Sequence, residues 1–159
     1  MKTLITYYSF SGNTDRVAKI CADKFGTEGE AILQRLRPYE EITGFAAQCR
    51  AAFTRKRALL GSDVNFDASP YDMIVLGCPV WAFAPVPAMN SYLDKLNGLH
   101  GKKVAIILTS GSGLGVNKCF KNIRDILQGK GASSVVEINI PDRKQGDKDF
   151  ITSSISKLL

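Results

Sequence analysis

Short apolar runs that alternate with stretches of helical period constrain this chain more than any other feature. Leu4–Tyr8, Ala31–Leu36, Met73–Cys78, Val104–Leu108 and Val135–Ile140 read as strands. Between and after them fall Val17, Ile20, Cys21 and Phe25, then Ile42, Phe45, Ala46, Cys49 and Phe53, then Met89, Tyr92, Leu93 and Leu96. Phe120, Ile123 and Leu127 form a fourth set and Ile151, Ile155 and Leu158 a fifth, each spaced for one face of a helix. The second helix is expected to run to about Leu60 with Arg55, Lys56 and Arg57 on its solvent face, and Pro85 and Pro87 suit the first turn of the third. Met73–Cys78 is apolar throughout, as a central parallel strand covered on both faces must be. Parallel strands with helical crossovers give an α/β, doubly wound three-layer sandwich. Its 159 residues fit a single domain spanning 1–159.

Composition removes several functions. No apolar run approaches the ~20 residues of a membrane span, and the stretch after Met1 is too polar for a signal peptide, so the expected location is the cytosol. Cys21, Cys49, Cys78 and Cys119 lie far apart and His100 is the only histidine, which predicts four reduced thiols and no metal site. The net charge of +6 is uneven: residues 35–57 carry +4, residues 58–100 carry −3 and residues 101–159 carry +5. Without interleaved aromatics the Arg-Lys-Arg run does not make a nucleic-acid platform. Its field suits acidic protein partners or anionic substrates.

Ligands of such sheets bind beyond the carboxyl ends of the strands, where the winding direction reverses. Three loops lie there. Ser9-Phe10-Ser11-Gly12-Asn13-Thr14 offers hydroxyls, an amide, a glycine and the free N–H groups of a helix N-terminus, a nest for one phosphate. It has no lysine of the G-x-x-x-x-G-K-[ST] kind to clamp a triphosphate. Pro79-Val80-Trp81-Ala82-Phe83 places the only tryptophan at a strand exit, where it can pack in the core or offer a flat face to an aromatic ring. Cys78 beside it has no basic neighbour and reads as packing. Thr109-Ser110-Gly111-Ser112 opens a glycine-rich stretch whose backbone can border a planar heterocycle. One phosphate, one stacking aromatic and one backbone rim match the needs of flavin mononucleotide (FMN).

With these loops the sequence resembles the flavodoxin-like family. Ser9–Thr14 looks like its S-x-[TS]-G-N-T phosphate signature, and Gly77-Cys78-Pro79-Val80-Trp81 looks like its third-strand exit with the flavin-stacking aromatic. The resemblance spans the chain and implies a five-stranded sheet of order 2-1-3-4-5, non-covalent FMN and a redox role of the short-chain type. It also implies that the three loops bind the cofactor.

Three departures qualify the resemblance. The chain is basic where electron carriers of this family are acidic, and Ala82-Phe83-Ala84 supplies no carboxylate after Trp81. Ala82 also stands where the family often has a glycine whose peptide flips to offer its carbonyl to N5 of the reduced flavin, and a turn needing positive φ would cost alanine about 1–2 kcal/mol more than glycine. The leading function is an FMN-binding electron-transfer protein with redox partner proteins, since no side chain of the loops is an evident proton donor. The alternative is an FMN-dependent reductase passing hydride from NAD(P)H to a quinone. A phosphoacceptor receiver domain is excluded, because Ser9 and Cys78 stand where it needs carboxylates.

Overall fold

A computed structural model describes every residue from Met1 to Leu159. Strands β1 (Lys2–Tyr7), β2 (Glu30–Arg35), β3 (Met73–Pro79), β4 (Lys103–Ser110) and β5 (Ser134–Pro141) form one sheet. The helices are α1 (Asn13–Glu28), α2 (Phe45–Phe53), α3 (Pro87–Lys95), α4 (Val116–Gly129) and α5 (Lys148–Ser156). All pairs are parallel and the order is β2-β1-β3-β4-β5, so β3 is central. The winding reverses between β1 and β3, which aligns Tyr7 with Gly77 and leaves a crevice just beyond.

Each face of the sheet has its own core. On one side Ile5, Val75 and Ile107 pack with Val17, Cys21 and Phe25 of α1 and Ile151 and Ile155 of α5. On the other, Leu4, Leu76 and Ile106 pack with Met89, Tyr92 and Leu93 of α3 and Cys119, Phe120 and Ile123 of α4. Burying one such side chain contributes about 1.5–3 kcal/mol, so the two cores hold the strand ends in fixed register. No helix is long and apolar enough to cross a membrane.

Helix α2 departs from the sequence pattern. It ends at Phe53 rather than near Leu60, and its buried residues are Gln48, Ala51 and Ala52, whereas Phe45 and Phe53 face solvent. The end is a Schellman turn: Lys56 N–H donates to Ala51 O, Arg55 N–H donates to Ala52 O, and Arg55 takes φ 53° in the left-handed position glycine normally fills. Arg55, Lys56 and Arg57 therefore follow the helix rather than extend it. The chain is then tied back to α3 by a bidentate pair, Arg57 Nε and Nη2 to the Asp94 carboxylate at 2.7 and 2.9 Å.

Candidate functional site

The first loop is shaped from beneath. Ser9 is buried and its Oγ accepts from Gly12 N–H at 3.1 Å, while Gly12 turns the chain at φ 94° into α1. Arg35, at the end of β2, donates to Ser9 O at 3.1 Å and lies 3.6 Å from the Asp15 carboxylate. Asp15 also accepts from Tyr7 OH at 2.6 Å and from Lys19 at 2.7 Å. The Lys19 and Tyr7 bonds hold its carboxyl below the usual carboxylate range. Burial, then the bond to Asp15, pushes the Tyr7 phenol up to about 12. Helix α1 starts without a side-chain cap, and the N–H groups of Ser11, Asn13 and Thr14 have no protein acceptor. The loop is thus a row of donors at the positive end of a helix.

The second loop is a two-residue reverse turn. Trp81 and Ala84 exchange backbone hydrogen bonds of 3.2 and 3.0 Å around Ala82 and Phe83. Both central residues have positive φ, 44° and 68°. The left-handed conformation that is costly for alanine is thus present at Ala82, and the turn persists because it is braced at both ends. On one side the Trp81 ring meets Tyr8 and Phe10 edge-on, with centroids 5.7 and 6.2 Å apart. On the other the Phe83 ring packs where a side chain at Gly115 would lie. Cys78, at the base of the loop, is fully buried, which pushes its thiol up to about 12 and keeps it protonated.

In the third loop Thr109 Oγ1 is 2.8 Å from Thr14 Oγ1, a bond that joins the end of β4 to the first turn of α1. Ser110 turns to Asn139 of β5 at 2.9 Å, and Ser112 accepts from Leu114 N–H at 3.3 Å. The three loops surround a cleft of about 210 Å³. Phe10, Ser11, Asn13, Thr14, Pro79, Val80, Trp81, Thr109 and Gly111 line it. Ser9, Gly12, Ala82, Phe83, Ser110 and Ser112 are not in its wall: the first four shape the loops and Ser110 faces β5. Two further wall residues, Asp142 and Gln145, come from the turn after β5. Asp142 accepts from the Gln145 amide at 2.6 Å and stands against Gly111, 3.1 Å from where a Cβ would sit. No local motif announces them; only the adjacency of β5 to β4 does.

Chemically the cleft has a donor-rich end at Ser11–Thr14, an aromatic wall at Trp81 and an acceptor, Asp142, toward the β5 side. That arrangement suits an elongated ligand with an anionic end and a planar end.

Solved structures of other proteins share this fold. The structure superposes on a Bacteroides uniformis ATCC 8492 protein named as a flavoprotein, with TM-score 0.79 and 21% identity, covering 98% of this chain and 97% of that one. A Lactobacillus acidophilus NCFM flavoprotein solved in complex with FMN gives TM-score 0.69 and 22% identity over 86% of this chain and 92% of that one. Oxidised flavodoxin 2 from Bacillus cereus gives TM-score 0.62 and 19% identity over the full length of both. No curated protein matches the sequence. These likenesses establish the fold. The flavodoxin family model matches residues 2–138, and by that match the chain belongs to the flavodoxin family.

Proposed function

We propose that the protein binds FMN in the cleft and serves as a flavodoxin-type electron carrier. The observation that carries this reading is the uncapped start of α1, whose free N–H groups at Ser11, Asn13 and Thr14 open into the same cleft as Trp81. A phosphate monoester would satisfy those donors, with the side chains of Ser11, Asn13 and Thr14 adding to them. The isoalloxazine would lie against Trp81, bordered by the Thr109–Gly111 backbone, and Asp142 and Gln145 would meet its polyol or ring edge. Bound there, the flavin supplies the redox chemistry. The residues present fit FMN, because the donors of Ser11–Thr14 can surround its one terminal phosphate.

Calorimetric titration of the flavin-free protein with FMN, riboflavin and FAD tests this. FMN should bind at least about tenfold more tightly than riboflavin, since charge-assisted bonds to the phosphate contribute about 1.5–3 kcal/mol. Equal affinity for riboflavin would remove the phosphate site. The alternative is a reductase that takes hydride from NAD(P)H and reduces a quinone; the nearby groove of about 290 Å³ sets Lys56 and Arg57 against Glu40 and Glu41, which favours an anionic nucleotide less. Sustained NADPH oxidation by the FMN-loaded protein with a quinone would favour the reductase over the carrier.

A further inference from the structure

The chain between β2 and β3 leaves four large apolar side chains in solvent. Phe45 is 83% exposed, Phe53 73%, Leu59 71% and Tyr39 69%. Helix α2 turns the small Ala51 and Ala52 inward and presents Phe45 and Phe53 outward, the reverse of what burial alone would select. Beyond the exposed Glu40 and Glu41, the charge on α2 and on the turn that follows it is of one sign. No acidic residue occurs between Glu41 and Asp63, while Arg50, Arg55, Lys56 and Arg57 do. Arg57 is neutralised by Asp94, and Arg55 is held only by the uncharged Asn122 amide oxygen at 2.8 Å, so Arg50, Arg55 and Lys56 keep their charge for a partner.

This surface adjoins the cleft. Asn90, near the start of α3, donates to Lys56 O at 3.4 Å and to Pro85 O at 3.3 Å, and Ser91 Oγ donates to Ala58 O at 2.7 Å. Tyr8, whose ring meets Trp81, donates its hydroxyl proton to Glu41 at 2.6 Å. Ile42, Ala58 and Trp81 share the wall of one narrow groove. A groove edged by Glu40 and Glu41 thus runs from the foot of the basic, apolar α2 surface to the far edge of the aromatic that borders the cleft.

We infer that the α2 surface, residues 45–59, docks an acidic redox protein that presents an apolar patch ringed by carboxylates and is held beside Trp81. The inference rests on the carrier reading above and names the class of partner. Charge complementarity selects this occupant. A second copy of the chain would set basic rim against basic rim. An anionic bilayer would be gripped by cations spread along an amphipathic helix, yet α2 carries Arg50 alone, and the residues after it fold back onto α3 and α4.

Stopped-flow oxidation of the photoreduced, FMN-loaded protein tests it, with cytochrome b5 as an acidic one-electron acceptor, cytochrome c as a basic one and 1,4-benzoquinone as an uncharged one. Each haem iron is reduced by one electron drawn from the reduced flavin. The rate with cytochrome b5 should fall about tenfold or more between low and high salt, and the rate with cytochrome c should not. The pair Arg50→Glu and Lys56→Glu should slow cytochrome b5 about tenfold, and Phe45→Ser with Phe53→Ser should slow it severalfold, both leaving benzoquinone unaffected. Lys102→Glu with Lys157→Glu changes net charge equally at the opposite end of the sheet and should leave the cytochrome b5 rate within about twofold. Equal slowing by that control pair would mean net charge alone and would overturn the inference. So would cytochrome b5 rates indifferent to all the variants. Salt-sensitive binding to phosphatidylglycerol vesicles, or a dimer in sedimentation velocity, that the α2 variants abolish while cytochrome b5 rates stay unchanged would assign the surface to lipid or to a second copy instead. A protein that binds no flavin overturns the carrier reading before any acceptor is added. One that binds flavin and reduces benzoquinone normally leaves that reading standing while the docking surface falls.

Discussion

The Phe83 ring occupies the space that a side chain at Gly115 would need: a Cβ there would lie 2.1 Å from Phe83 Cδ1. The turn after β3 and the start of α4 are therefore fitted to each other across the mouth of the cleft, and the strained conformation of one depends on the bareness of the other.

Gly115→Ala forces Phe83 out and also places alanine at φ 75°. Overpacking costs about 1–3 kcal/mol, and displacing Phe83 releases the Ala82–Phe83 turn. Urea denaturation should show the loss of stability, and the FMN dissociation constant should rise in parallel. A stable variant with unchanged affinity would mean that Phe83 does not brace the turn.

Ala82→Gly acts in the opposite direction. Ala82 already sits at φ 44°, so glycine removes about 1–2 kcal/mol of left-handed strain, partly offset by about 0.5–1 kcal/mol of extra freedom in the unfolded chain. The expected result is a denaturation midpoint equal to or slightly above that of the wild type. A clear loss of stability would show that the alanine methyl packs against something it needs.

At Gly12 the space is open, with nothing within 4 Å of a built Cβ, and aspartate tolerates positive φ better than most residues. Gly12→Asp should therefore fold and place a carboxylate at the phosphate nest. Isothermal calorimetry should find FMN binding weakened by two decades or more, on the order of 3 kcal/mol of repulsion and lost donation, while riboflavin binding changes little.

Trp81→Ala removes the aromatic wall. Stacking of a heterocycle on an aromatic side chain is worth about 1–3 kcal/mol, so affinity should fall by one to two decades. In the wild type, tryptophan fluorescence should be quenched as FMN saturates the cleft. Full emission at saturation would place the flavin elsewhere.

Two linked groups beneath the phosphate loop give stability a pH dependence. The Asp15 carboxyl is lowered, so its contribution is complete above the unfolded carboxylate value near 4 and is lost as pH falls through the folded value. The Tyr7 phenol is raised to about 12, so its contribution is complete below about pH 10 and is lost as pH rises from there toward 12. Tyr7→Phe should flatten the alkaline limb of a stability-against-pH curve and, by removing a donor, bring the acid limb to higher pH. An unaltered alkaline limb would exclude Tyr7 as its source.

The strands were legible because a buried parallel strand has few sequences open to it, and Met73–Cys78 has no other reading. Two of the three loops were legible for a related reason: Gly12 and Trp81 are residue types whose cost or size demands a use. Helix α2 was not. Its periodicity pointed Phe45 and Phe53 inward, but the structure buries Ala51 and Ala52, and Arg55 ends the helix in a position that glycine would have marked. The positive φ of Ala82 is hidden from sequence for the converse reason, since tertiary bracing by Trp81 and Phe83 outweighs a local preference of about 1–2 kcal/mol. Asp142 and Gln145 reach the cleft only because β5 lies beside β4, a relation between distant segments that no short window contains.

Arg35 is the last residue of the border strand β2, and its guanidinium grips the carbonyl of Ser9, the residue that opens the donor loop. A border strand has one neighbour and is the part of a sheet that peels away most readily. Peeling here would withdraw the grip on Ser9 and loosen the nest. A filled nest, conversely, should resist the peeling and slow deuterium uptake along residues 30–35. The outermost strand would then register whether the cleft is occupied, although it contributes no wall to it.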